Sequence, residues 1–273
     1  MSPEVGVLDE DALARLLDED PDDSLAMLAE MMTATDEELR RHAHRLAARL
    51  VLERSRTGRP AQRGTGRPRL VPASRGGDLD LDASLDAVMT ARAEQRPAHL
   101  DELSARDWGQ AQLALCLLVD DSGSMTGARL AAAAMVTAAC ALRAPAEHAV
   151  LAFGRDVRPV RRLRDVTPPA EVVNRVLQLR GHGVTGLAGA LRAGTEALAD
   201  ARATRRVVVL LSDCRATDEQ DPVPAARGVP ELIIVAPRDD GEAAEELAAE
   251  SGARCATLGS VDEAVGLLNE LLN

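Results

Sequence analysis

The chain has 273 residues, 46% of them hydrophobic, and a formal net charge of −12. That length supports one large or two smaller domains with a sizeable core, while the surplus of acid argues against non-specific binding to duplex nucleic acid. All 32 basic residues are arginine and tyrosine is absent. A Walker-type phosphate loop, lysine Schiff-base chemistry and an aromatic platform for single-stranded nucleic acid are therefore excluded.

Residues 1–56 read as a small helical region. In TDEELRRHAHRLAARLVLERS, Thr35 or Asp36 is placed to cap, and Leu39, Ala43, Leu46, Leu50 and Val51 recur at helical spacing. Residues 57–77 are rich in arginine, proline and glycine and are expected to be a linker or extended arm. From Arg40 to Arg75 there are eleven arginines and one acid, Glu53, which suits either a solvated segment or docking to an acidic surface. Residues 78–107 form a lead-in segment, DLDLDASLDAVMTARAEQ, that alternates and then turns helical with Asp82 as its cap.

From residue 108 to 273 the pattern changes. Short, continuously apolar runs at 113–119, 149–153, 207–211 and 232–236 suit parallel strands covered on both faces. Alanine-rich helical stretches lie between them at 127–143, 169–180, 186–201 and 241–251, with a last helix at 260–272. This alternation predicts an α/β fold with a doubly wound, Rossmann-like, mostly parallel sheet. No stretch of about 20 apolar residues spans a membrane. The N-terminus is acidic and lacks the pattern of a secretory signal. The four cysteines, Cys116, Cys140, Cys214 and Cys255, form no CxxC pair and are expected as reduced thiols in a cytoplasmic protein.

Two predicted strands stop alike, LALCLLVD at Asp120 and VVVLLSD at Asp213. In an open α/β sheet, ligands bind beyond the carboxyl ends of the strands, so both aspartates are expected to face one crevice. Asp120 is followed by Ser122 and Ser124 on a turn eased by Gly123. A second turn, RGHGVTGLAGAL, sets Thr185 between glycines just before a helix. Two carboxylates and three hydroxyls form an all-oxygen set, which suits Mg2+ or Mn2+ rather than zinc. Neutral hydroxyl ligands leave the ion most of its charge, so that it attracts a carboxylate from outside. The other reading of the same residues is ordinary capping at helix starts.

The spacing Asp120-x-Ser122-x-Ser124, then Thr185 and Asp213, resembles the metal-ion-dependent adhesion site of von Willebrand factor A (VWA) domains. The D-x-S-G-S-M form is typical of bacterial members. The resemblance covers residues 108–273 and implies a Rossmann-like sheet with the site at its top. Ser122, Ser124 and Thr185 are then direct or near-direct ligands of Mg2+ (or Mn2+), with Asp120 and Asp213 acting largely through water. Asp121 departs from the family pattern by adding a negative charge. Cys214 departs from it by standing where the family often has glycine. The stretch RGGDLDLDASLDAVM, with a tryptophan before the first strand, is similar to the bacterial CoxE-like branch, whose members work beside MoxR-type AAA+ ATPases.

The resemblance implies a non-enzymatic adaptor that offers its metal to an Asp or Glu of a protein partner, a MoxR-type ATPase in the first instance. No nucleic acid is expected as a partner. The alternative is a metal-dependent hydrolase or phosphotransferase using the same residues. Against it, the motif holds no adjacent histidine base, no G-x-S-x-G and no lysine. Around the site, His182 is a turn residue or a further ligand, and Met125 packs under the loop. Asp218 and Glu219 belong to a solvated loop. Arg215 is a surface arginine or meets an acidic partner group.

Overall fold

The computed structural model describes residues 16, 20, 23–24, 27, 46–53, 55, 68–75, 78–108, 113–123, 128–179 and 183–272. They fall into two units, residues 61–112 and the remainder.

In the larger unit six strands form one sheet: β4 (Leu113–Asp120), β5 (His148–Phe153), β6 (Val157–Arg161), β7 (Arg205–Leu211), β8 (Leu232–Pro237) and β9 (Arg254–Leu258). Their order is β6-β5-β4-β7-β8-β9; every pairing is parallel except β5 with β6. The central strands are apolar on both faces, and successive residues enter opposite cores. Leu115, Leu117 and Val119 pack on one side with Val207, Val209 and Ile233. Ala114, Cys116 and Leu118 pack on the other with Val208, Leu210 and Ile234.

The first core is closed by α2 (Ala128–Arg143), α3 (Pro169–Leu177) and α7 (Glu263–Leu272). The second is closed by α4 (Leu187–Ala197), α5 (Val223–Arg227) and α6 (Glu242–Ser251). Helix α4 lies very close to the sheet because of Gly194, where a Cβ would meet Leu118 Cδ1 at 3.2 Å and Val208 Cγ1 at 3.3 Å.

This doubly wound sheet is the fold expected from the sequence. Two strands went unread there, β6 and β9, because both lie at the sheet edges and carry arginines. The helical segment at 46–53 is also part of this unit. Leu46, Ala47, Ala48 and Val51 are buried in the first core, and the Ser55 hydroxyl donates to the Val51 carbonyl at 2.7 Å. The core therefore begins well before residue 108. The rest of the proposed capping stretch, Thr35 and Asp36 included, lies outside the described residues.

The smaller unit is a three-stranded antiparallel sheet with one helix. Strand β1 (Pro68–Pro72) pairs along β3 (Ser104–Trp108), from Pro68↔Trp108 to Pro72↔Ser104, and β2 (Asp78–Leu79) takes the other edge. The expected linker at 57–77 thus contains a paired strand. Helix α1 (Leu81–Ala93) starts two residues earlier than a cap at Asp82 implies. Asp80 is the cap, its Oδ1 accepting the Ala83 N–H at 3.0 Å, and Asp82 falls in the first turn.

Candidate metal centre

Strands β4 and β7 are parallel neighbours, with Val119 opposite Leu211. The chain runs from β4 to β5 on one side and later returns to β7 on the other. The carboxyl ends of β4 and β7 therefore flank the switch point of the sheet, where a crevice forms. Asp120 ends β4 and is almost wholly buried.

Both oxygens of the Asp120 carboxylate are held. Oδ1 accepts the Ser122 N–H at 2.9 Å, and Oδ2 accepts the Ser212 hydroxyl at 2.6 Å. Burial pushes its pKa above the usual carboxylate range, against the pull of the Ser212 and Ser122 hydrogen bonds, and the neighbouring Asp213 charge pushes it up further. Asp213 follows directly on Ser212 and is half-buried, with its Oδ1 accepting the Arg215 N–H at 3.0 Å. The Asp213 carboxylate is therefore near enough for its charge to act on Asp120. Ser212 was missed in the sequence, although it stands next to Asp213; its partner lies 92 residues away.

Ser122 is buried at the start of the loop after β4. Ser124, Met125 and His182 lie outside the described residues. Thr185 is buried in the turn before α4 and is tied to the loop after β7 at two points. Its N–H donates to Thr217 Oγ1 at 2.7 Å, and its carbonyl accepts the Thr217 N–H at 3.2 Å. Next to it, the Gly186 N–H donates to the Gly154 carbonyl at 2.8 Å; a Cβ at Gly186 would stand 3.1 Å from that oxygen. Glycine there lets the Thr185 turn approach the loop after β5.

The same region half-buries Asp218, in contrast to the solvated loop expected for it; Glu219 is exposed, as expected. Asp218 Oδ1 is shielded from solvent and has no hydrogen-bond partner among the described residues. A shielded, unbonded carboxylate oxygen costs free energy unless a cation or water meets it.

The two departures from the motif have structural answers. Asp121, also buried, forms an ion pair with Arg158 on β6. Its added charge therefore has a counter-charge at the rim. Cys214 has φ +61°, in the left-handed region where glycine is favoured. It is held by its N–H donating to Ser212 Oγ at 2.9 Å, and burial raises its thiol pKa. Arg215 pairs with Asp240 at 2.5 Å, and Arg129 at the start of α2 reaches Asp239 at 3.1 Å. These pairs tie the loops after β7 and β8 into one rim.

Among the described residues no group of three or more His, Cys, Asp or Glu assembles as a metal cluster. The candidate donors are instead two carboxylates and hydroxyls, an oxygen set suited to a hard cation.

Residues 46–238 match the family model described as VWA domain containing CoxE-like protein. None of the curated proteins compared matches the chain. Among solved structures, the von Willebrand factor type A protein from Catenulispora acidiphila is 16% identical at a TM-score of 0.48, covering 62% of this chain and 43% of its own. BatB from Bacteroides thetaiotaomicron is 12% identical at 0.48, covering 59% of this chain and 97% of its own. Manganese-loaded TRAP from Plasmodium vivax is 18% identical at 0.49, covering 59% of this chain and 74% of its own. No described helix is long and apolar enough to cross a membrane.

Proposed function

The chain belongs to the CoxE-like family of VWA-domain proteins, and from that premise we propose that it is a non-enzymatic, metal-dependent protein-interaction module. Ser122, Ser124, Thr185, Asp120 and Asp213 would hold Mg2+ or Mn2+, the three hydroxyls directly and the two aspartates largely through water. The observation that carries this reading is Asp120. Its buried carboxylate is locked by the Ser122 N–H and the Ser212 hydroxyl while Asp213 repels it. Two carboxylates close enough to repel each other, one of them buried, are stabilised by a nearby cation.

When bound, the cation supplies a Lewis-acidic position that accepts a carboxylate from outside. The chain's own residues set its strength. Arg158 offsets the charge of Asp121, so that the pull on an incoming anion is kept. The arginine pairs to Asp239 and Asp240 fix the rim, and the Thr185–Thr217 pairing fixes the far wall.

The partner would offer an Asp or Glu. The family resemblance points to a MoxR-type AAA+ ATPase, with the module acting as a cytoplasmic adaptor in complex remodelling or metal-cofactor maturation. The test replaces Ser122 and Ser124 together by alanine in the full chain and measures capture of the candidate ATPase with Mg2+ and with EDTA. Capture that needs Mg2+ and is lost in the double variant, with an unchanged circular dichroism spectrum, supports the clasp. Capture that ignores both perturbations refutes it.

A further inference from the structure

Helix α1 is inverted relative to an ordinary surface helix. Its buried side, toward β3, holds the small residues Ser84 and Ala91. Its large apolar residues point outward: Leu81 is 73% exposed, Leu85 59%, Val88 43% and Met89 60%. These positions recur at i, i+4, i+7 and i+8, so they form one stripe, and Leu79 in β2 just before the helix is exposed as well. A contiguous stripe of this kind, unlike single exposed leucines, marks an interaction surface.

The charges along the helix say what fits. Asp82 and Asp86, both exposed, lie in its N-terminal half, and Arg92 continues the stripe at the C-terminal end, one turn past Val88. We propose that α1 pairs antiparallel with α1 of a second copy of this chain, around a two-fold axis between Leu85 and Val88. Leu85 then packs on the partner's Val88. Leu81 packs on the aliphatic stem of the partner's Arg92, whose guanidinium reaches Asp82. The two-fold repeats each contact, so the pairing closes with opposite charges at both ends. A parallel pairing would set like charges side by side, which is unfavourable.

Burying the stripe on both copies removes on the order of 1,000 Å2, the low end for a specific interface, which implies a weak, concentration-dependent dimer. This inference does not rest on the metal site.

The test is sedimentation velocity of the full chain from about 1 to 200 µM, a range that brackets a micromolar dissociation constant. The mass should rise from the monomer's 28.9 kDa toward twice that value. Leu85→Glu, on an exposed position, should remain monomeric with an unchanged circular dichroism spectrum. Asp82→Arg should weaken the dimer by about tenfold, and adding Arg92→Asp should bring the affinity back to within about threefold. A monomer at every concentration overturns the proposal and assigns the stripe to another occupant. A dimer indifferent to Leu85→Glu, or a charge swap that fails to restore pairing, overturns it equally.

Discussion

Replacing Leu46 and Val51 together by alanine should unfold the sheet domain more easily, although neither residue lies in the strand-helix repeat. Leu46 is 6% exposed and Val51 0%, and both belong to the core formed by β4, α2 and α7. Truncating a buried leucine to alanine costs about 2–5 kcal/mol. Truncating Val51 removes two methyl groups, about 1.6 kcal/mol by transfer before any cavity cost. The double variant should therefore lose roughly 4–7 kcal/mol if the two sites act independently. That is a large part of the 5–15 kcal/mol usual for a domain. The assay is urea unfolding of the full chain followed by far-UV circular dichroism. Glu53→Ala, on the exposed side of the same segment, serves as the control and should change stability by less than about 0.5 kcal/mol. A loss below about 1 kcal/mol in the double variant would show that residues 46–53 are an appendage rather than core.

Cys214 holds a left-handed backbone, so Cys214→Gly should stay within about 1 kcal/mol of the parent, while Cys214→Val should lose more than about 2 kcal/mol; equal midpoints in urea would contradict this. His148 is buried beside Arg161, and burial first, then that charge, lowers its pKa from 6.5 to about 4. Its neutral form is the one the fold accepts, so stability is full above the unfolded value and falls as pH drops from 6.5 toward 4, by about 3 kcal/mol in all. His148→Gln should flatten that slope in urea midpoints measured across the window. Arg158→Ala removes the counter-charge of Asp121 and should tighten Mn2+ binding several-fold while weakening partner capture; weaker Mn2+ binding would place Arg158 in a purely structural role.

The legible parts of this fold are those written in local pattern. The apolar runs of β4, β5, β7 and β8 and the alanine-rich helices appear in the sequence because burial on both faces leaves no room for polar residues. Edge strand β6, with the sequence VRPVR, exposes its arginines and breaks that pattern. Strand β1 is hidden by its own prolines and by a partner, β3, far along the chain. The helix at 46–53 showed its period but not its destination. Its apolar face is the same whether it packs on a neighbour helix or on the sheet core.

At the site, the residues with motif spacing were legible and their supports were not. Ser212 and Arg158 act across 92 and 37 residues respectively, so nothing local marks them. Cys214 was marked only by the glycine expected there, and its positive φ gives the reason. Asp80 rather than Asp82 caps α1 because Asp80 stands just before the first helical residue, with the backbone still extended. Alternating aspartates do not reveal which one will occupy that place.

The most direct test of the account is a calorimetric titration of the full chain with Mn2+, beside the Ser122→Ala and Asp213→Ala variants, each checked for fold by circular dichroism. The account predicts one Mn2+ per chain for the parent and at least about tenfold weaker binding in either variant. A parent that binds no Mn2+, or variants that bind it as tightly as the parent, would contradict it.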